Sequence, residues 1–167
     1  AVRLLTHEIE VHVLRMHNAN LSPLKILRRG TARYLNTEEG LAIYCQQHHS
    51  GHLWNRGPGF WNAYACALAM ETDFQTTFAT ISEYRGVDEA WRLCTRVFRG
   101  ISNTNEPRVG YLRDHIYRTG YLKIKKAIAQ DDHLLPKLFT GHFGLEDLPV
   151  LNQLNIPFGK MPDFVAN

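Results

Sequence analysis

Apolar residues recur at intervals of three and four along almost the whole chain, which is the pattern of amphipathic α-helices. The first such segment predicts a helix over residues 3–17, with its apolar positions at Leu4, Leu5, Ile9, Val13 and Met16. The same pattern predicts further helices over residues 37–47, 60–84, 88–99, 111–129, 132–139 and 146–154. No segment shows the strict alternation of a half-buried strand, and no internal repeat is visible. The sequence therefore predicts a mainly α fold.

Turn and capping residues indicate where these helices begin and end. Thr37 has the side chain of an N-cap, and Glu38 and Glu39 after it would favour a first helical turn through the helix dipole. Asp73 is placed to cap a second helical segment within residues 60–84. The segment Ser50–Gly59 contains three glycines and Pro58, so we expect a loop there.

Composition narrows the class of protein further. The chain has 167 residues, of which 44% are hydrophobic and 21% charged, and this balance is typical of a globular domain rather than a disordered, collagenous or coiled-coil chain. No apolar run approaches the roughly 18 residues of a membrane span. The net charge of +3 is too small to indicate nucleic-acid binding. We therefore expect neither a nucleic acid nor a membrane as partner, and the sequence does not predict an oligomeric state.

The cysteines predict a reducing compartment. The chain has three cysteines, Cys45, Cys66 and Cys94, and an odd number without a CxxC pair argues against a disulfide framework or a cysteine zinc site. Each lies in an apolar, helix-like stretch, so we expect buried thiols and a cytoplasmic location.

One motif carries the candidate chemistry, a His-Glu pair followed by three residues and a second histidine. It comprises His7, Glu8 and His12. Histidines five residues apart diverge by roughly 140° around a regular α-helix, so they cannot meet one metal ion there. Either the motif is accidental, with solvated side chains on a polar face, or the helix contains a local i→i+5 turn that brings the rings together. On the second alternative we expect a departure from α-helical geometry between the two histidines.

A zinc enzyme with two histidine ligands needs a third protein ligand, and two histidines with a glutamate form a known catalytic set. Glu38 and Glu39, at the start of the next predicted helix, are both candidates. The alternative is that both are first-turn residues that only complement the helix dipole.

The motif resembles a known family. The segments His7–His12 and Glu39–Ala42 resemble the QEGLA-motif metallohydrolases, which include the microtubule-associated tyrosine carboxypeptidases that remove the C-terminal tyrosine of α-tubulin. The resemblance continues through Arg99–Thr104, Tyr111–Gly120 and Leu138–Leu148, and it covers most of residues 5–155. Asn103 differs from the family pattern, where Asp is usual.

The resemblance implies a zinc site and a fold. It implies that His7, His12 and Glu39 bind Zn²⁺, and that Glu8 is the catalytic glutamate. Glu38 falls where some members have Gln, which suits a residue beside a ligand better than a ligand. The expected fold is the helical half of a zincin-like, gluzincin-type metallopeptidase. Residues 1–167 would then form a single helical catalytic-domain fragment, and we expect the N-terminal part of the family domain to be absent.

Two residues of the Tyr111–Gly120 segment are candidates for substrate chemistry. Tyr117 could donate to the oxyanion of the tetrahedral intermediate, and the alternative is a tyrosine half in the core. Arg113 could bind the terminal carboxylate of a peptide in a bidentate manner. Because these residues are four apart in a predicted helix, we expect both on one face, turned toward the metal ligands.

Two functions follow as hypotheses. The first is a zinc metallocarboxypeptidase that acts on the C-terminus of a peptide or protein, for which the family resemblance suggests a tubulin tail. The second is a catalytically silent helical domain that binds a partner and retains the motif. Metal content distinguishes them, because the enzyme requires zinc and the silent domain does not.

Overall fold

The computed structural model describes residues 2–51 and 58–166, and within them the regular secondary structure is helical, without strands. The α-helices are α1 (Val2–Leu5), α2 (Leu14–Leu21), α3 (Tyr34–Ser50), α4 (Pro58–Ala69), α5 (Phe74–Arg85), α6 (Val87–Val97), α7 (His115–Ile128), α8 (Leu134–Leu138), α9 (Leu148–Gln153) and α10 (Asp163–Ala166). Thr6–Val13 is a π-helix, and Lys25–Arg28, Leu112–Asp114 and Leu145–Asp147 are 3₁₀-helices. The predicted mainly α fold is confirmed.

Two further sequence predictions concern membrane spans and the loop Ser50–Gly59. None of the helices in the described ranges is both long enough and apolar enough to cross a membrane. Of the predicted loop Ser50–Gly59, Ser50 ends α3 and Pro58 begins α4, so both belong to helices instead. The central part of that loop, residues 52–57, lies outside the described residues.

Contacts divide the chain into two compact units. The first unit takes residues 1–53 and 119–167, and the second unit takes residues 54–118. The expectation that the whole chain is one catalytic-domain fragment stays a prediction.

In the first unit, an apolar core lies beneath the π-helix, α2 and α3. Its buried residues come from segments that are far apart in the sequence, because each amphipathic helix turns one apolar face inward. They are Val11, Ala19, Leu27, Leu41, Ala42, Cys45, Ile124, Leu134, Leu138, Phe139 and Phe143. The outward faces of the same helices are therefore available to polar side chains.

Two glycines allow α3 to approach α7 closely. A Cβ atom at Gly40 would collide with the backbone of Gly120, and a Cβ atom at Gly120 would collide with the carbonyl oxygen of Asn36. Because both positions lack side chains, the two helix backbones pack in direct contact. This contact holds the part of α3 that carries Glu39, the residue immediately before Gly40.

Helix α3 begins earlier than the sequence predicts. It starts at Tyr34, after Arg33, whose φ of 63° is left-handed, so the predicted N-cap at Thr37 is wrong. The Thr37 hydroxyl instead accepts a hydrogen bond from the backbone N–H of Leu145 at 3.0 Å. A tertiary partner thus takes the side chain that local propensity assigns to a cap, and Glu38 and Glu39 lie in the second turn.

The second unit has an aromatic core. Helices α4, α5 and α6, together with the residue that follows α6, bury Trp61, Ala65, Cys66, Ala69, Ile81, Ala90, Leu93, Cys94, Val97 and Phe98. The predicted break near Thr72 and the predicted cap are confirmed, since the Asp73 carboxylate accepts a hydrogen bond from the backbone N–H of Thr76 at 2.8 Å. The three cysteines of the chain are free and buried, as the sequence predicts.

Candidate metal centre

The helix that carries the histidine motif departs from α geometry over the predicted residues. Thr6–Val13 forms a π-helix between α1 and α2, and the backbone N–H of Leu14 donates to the carbonyl of Ile9, five residues earlier. The widened turn brings positions five apart onto one face. The ring centroids of His7 and His12 accordingly lie 4.9 Å apart. The predicted departure from α-helical geometry is confirmed.

Helix α3 presents Glu39 to these two rings. The Nε2 atom of His7 lies 3.3 Å from Glu39 Oε2, and the Nε2 atom of His12 lies 3.7 Å from the same oxygen. One candidate ligand atom from each of the three residues lies within 4.8 Å of the others. The structure thus brings His7, His12 and Glu39 together as the sequence predicts, while their role as metal ligands stays a prediction.

The donor set suits a zinc ion. Donor atoms bonded at about 2.0–2.2 Å to a tetrahedral ion lie roughly 3.3–3.6 Å apart. The separations of 3.3 and 3.7 Å are close to that value. Moreover, Glu39 Oε2 is buried and has no hydrogen-bond partner. A buried oxygen without a donor is costly, and a cation bound here would satisfy it.

Without a metal, two of the three side chains, His12 and Glu39, have shifted pKa values. Burial lowers the pKa of His12, but its interactions with Glu38 and Glu39 outweigh burial and raise it to about 9. Burial raises the pKa of Glu39, but the His12 and His7 rings outweigh this effect and lower it to about 2. The site thus strongly favours positive charge beside the Glu39 carboxylate.

Glu38 lies next to Glu39 but has a different environment. Its Oε1 accepts a hydrogen bond from His12 Nδ1 at 2.7 Å, and its Oε2 accepts from Arg15 and from His142 Nδ1. Burial raises the pKa of Glu38, but the Arg15 charge and the two histidine hydrogen bonds hold it well below its ordinary value. Because both oxygens have donors, Glu39 suits the role of third ligand better.

Glu8, the candidate catalytic glutamate, follows His7 in the π-helix and is exposed. It is absent from the set of side chains that could share one ion, which contains His7, His12 and Glu39. This placement agrees with its predicted role as a base rather than a ligand, and the role itself stays a prediction.

The candidate substrate residues belong to the second unit, and one expectation about them is wrong. Arg113 lies in the 3₁₀-helix Leu112–Asp114, before α7 begins at His115, so it does not share a regular α-helical face with Tyr117. Asp114, buried and paired with Arg96, holds this turn. Tyr117 is half-buried within α7. The orientation of both residues toward the metal ligands stays a prediction.

Arg113 is part of a small basic group on the surface of the second unit. It is exposed and hydrogen-bonds the phenol of Tyr111, and the Arg99 guanidinium lies 3.8 Å from the centroid of the same ring. These interactions with Arg113 and Arg99 lower the pKa of Tyr111. Two guanidinium groups therefore meet at one tyrosine.

Sequence reasoning missed two residues that surround Glu38 at the candidate metal centre, Arg15 and His142. Arg15 lies three residues after His12, but nothing in the local pattern indicates that an arginine is buried there. His142 lies within the Leu138–Leu148 segment of the family resemblance, which was the available signal. Its contact with Glu38 spans 104 residues of sequence, so periodicity could not predict it.

Comparison with known proteins supports the resemblance found in the sequence. The family model described as microtubule-associated tyrosine carboxypeptidase matches residues 1–157. The match includes all five segments on which the resemblance rests. A comparison with curated proteins gives no match.

Proposed function

Because this chain belongs to the microtubule-associated tyrosine carboxypeptidase family, we propose that it is a zinc-dependent peptidase that hydrolyses the C-terminal peptide bond of a peptide or protein. The observation that carries the proposal is the convergence of His7, His12 and Glu39, whose candidate ligand atoms lie within 4.8 Å of one another. Family membership supports the class of reaction, and this geometry supports the metal.

Three residues would hold the zinc ion, and a fourth would move the proton. His7, His12 and Glu39 form a donor set typical of catalytic zinc. When bound, the ion would polarise the scissile carbonyl group and lower the pKa of a water molecule. Glu8 would accept the proton of the attacking water and return it to the leaving amine. Its exposure, next to a candidate ligand, leaves its carboxylate accessible for this task.

Residues of the Tyr111–Gly120 segment would bind the end of the substrate. Arg113 would hold the terminal carboxylate, because a planar guanidinium matches a carboxylate better than an ammonium does. The neighbouring Arg99, which stacks on Tyr111, adds a second positive charge to the same surface. Tyr117 would donate to the developing oxyanion. The family description points to a C-terminal tyrosine and to a tubulin tail as the substrate, and a cytoplasmic location fits such a substrate.

The test is metal analysis combined with a peptide digest. The full chain, purified without chelator, should contain zinc in near-stoichiometric amount. It should release the last residue from peptides that differ only in that residue, with tyrosine among them. C-terminally amidated peptides serve as the matched control, because they lack the terminal carboxylate. Absence of zinc together with absence of cleavage would contradict the proposal and favour a catalytically silent partner-binding domain.

A further inference from the structure

A fully satisfied carboxylate lies directly behind the candidate zinc ligand His12. Glu38 Oε1 accepts from His12 Nδ1 at 2.7 Å, while Oε2 accepts from Arg15 and from His142 Nδ1, the latter at 2.9 Å. The two oxygens therefore have separate partners. One faces the metal centre, and the other faces the interior of the first unit.

Arg15 is a costly residue to place there. Its side chain is 0% exposed, and desolvation by burial lowers its pKa. All of its contacts are internal: Nε donates to the Leu138 carbonyl at 2.8 Å, Nη2 donates to the Gly141 carbonyl, and Nη1 donates to Glu38. Buried ion pairs can often be replaced by apolar residues at no cost in stability. Stability alone therefore does not account for this pair.

His142 is held in place by its own backbone. Its N–H donates to the Leu27 carbonyl at 3.1 Å, and its carbonyl accepts from the N–H of Thr31 at 3.2 Å. Its ring also packs edge-on against Tyr34, with ring centroids 5.6 Å apart. With backbone and ring both fixed, Nδ1 reaches Glu38 from a defined direction.

This network determines which nitrogen of His12 is available. A histidine whose Nδ1–H donates to a carboxylate keeps Nε2 unprotonated for a metal, and such partners fix the ring orientation and raise the basicity of the ligand. In this structure His12 Nε2 is the atom that faces Glu39. If Glu38 turned its carboxylate away, His12 could rotate or change tautomer.

We propose that Arg15 and His142 are positioning residues of the metal centre. By occupying Oε2 of Glu38, they hold Oε1 on His12 Nδ1 and so aim His12 Nε2 at the ion. The proposal rests on the proposed function insofar as His12 is a metal ligand. It assigns to the chain around residues 138–142, far from the motif in sequence, a direct influence on metal affinity.

The experiment uses the full chain with Co²⁺ and Zn²⁺ as probes. Co²⁺ binding is followed by visible absorption, which reports ligand number and geometry, and Zn²⁺ affinity is measured by chelator competition. His142→Ala removes the donor and should weaken metal affinity by about 10- to 100-fold. His142→Asn places an amide N–H near the position of Nδ1 and should restore affinity and the Co²⁺ spectrum. His133→Ala, at an exposed histidine of the same unit, should leave both unchanged.

A further variant separates positioning from folding. His142→Gln places its amide near the position of Nε2, away from Glu38, so it should weaken binding as His142→Ala does. Circular dichroism checks that each variant is folded. If His142→Ala is unfolded, the metal affinities of His142→Asn and His142→Gln are compared instead to test the inference. The inference would be overturned if every His142 variant bound metal as tightly as the unaltered chain does. It would also be overturned if His142→Asn and His142→Gln lost metal affinity equally. Failure of the unaltered chain to bind Co²⁺ or Zn²⁺ would instead overturn the proposed zinc function.

Discussion

Each of the two units buries a carboxylate beside an arginine, and the two pairs differ in how far they are withdrawn from water. In the first unit, the side chains of Arg15 and Glu38 are 0% and 6% exposed. In the second unit, Asp114 is buried, but 42% of the Arg96 side chain remains exposed. Burial lowers the pKa of Arg15, whereas the hydrogen bond with Asp114 raises the pKa of Arg96.

The difference indicates two tasks for one kind of interaction. Arg96 keeps part of its hydration, and its pairing with Asp114 joins the turn Leu112–Asp114 to α6, which is a structural task. Arg15 gives up its hydration entirely, and the other oxygen of the Glu38 carboxylate that it holds accepts a hydrogen bond from His12 Nδ1. The pair with the larger desolvation cost, Arg15 with Glu38, is thus the one that contacts the candidate metal centre. This indicates that it serves to fix the orientation of a ligand.

The largest expected effect tests whether the metal binds to the first unit. His12→Ala removes a proposed ligand and should abolish near-stoichiometric zinc, because two ligands hold the ion too weakly. His115→Ala, in the second unit, should keep the metal. Elemental analysis of protein purified without chelator gives the measurement. Loss of zinc in both variants would mean that the metal does not belong to the first unit alone.

Next in size is the effect of removing the proposed base. Glu8→Gln preserves the shape of the side chain and removes its proton acceptor, so turnover should fall by about 10²–10⁴. Zinc content should not change, because Glu8 is not among the converging side chains. Peptide cleavage rates and zinc content, measured on the same preparation, test this. Activity close to that of the unaltered chain would exclude the role of base.

The two ion pairs can be compared directly by unfolding in urea. Arg15→Met removes the arginine that pairs with the buried Glu38 carboxylate and should lower the free energy of unfolding by about 3–5 kcal/mol. Arg96→Met should cost about 1–3 kcal/mol, since its site is more open to water. Only Arg15→Met should also weaken Co²⁺ binding. Equal effects on metal affinity would remove the functional difference between the pairs.

Arg113→Ala tests whether the second unit contributes to function as well. A hydrogen bond to a charged group contributes about 1.5–3 kcal/mol, so kcat/KM for peptides with a free C-terminus should fall about tenfold or more. C-terminally amidated peptides should be affected far less. Arg92→Ala is the control, because Arg92 pairs with Glu89 on an exposed face of α6. Equal losses on both kinds of peptide would indicate a structural arginine.

The smallest effect concerns two glycines, one in each unit. Gly40→Ala collides with the Gly120 backbone, and such overpacking costs about 1–3 kcal/mol of stability. Gly86→Ala meets no atom within 4 Å but is strained by a φ of 79°, at a similar cost of about 1–3 kcal/mol. Because Gly40 follows Glu39, only Gly40→Ala should reduce Zn²⁺ affinity. Urea unfolding measures the loss of stability in each variant. Chelator competition with the folded variants then measures Zn²⁺ affinity, which distinguishes the two.

Local pattern predicts much of this protein because helices are stabilised by contacts between residues three and four apart. The order of helices, the Asp73 cap and the break beside it all follow from the sequence. If His7 and His12 bind one ion, their five-residue spacing also predicts the π-helix, because two rings that share an ion cannot sit on a regular α-helix. Thr37 and Arg113 show the limit of such reasoning, since a tertiary hydrogen bond and a 3₁₀ turn override their local preferences.

The sequence by itself therefore determined the mainly α fold and the family and, through the family resemblance, the candidate ligands His7, His12 and Glu39. Only the tertiary structure decided the contacts of the two adjacent glutamates. Glu38 and Glu39 are equivalent in local pattern, yet packing gives one of them three donors and leaves an oxygen of the other without any. The physical reason is that hydrogen bonds and charges act through space, and the partners of Glu38 come from helices and loops up to 104 residues away.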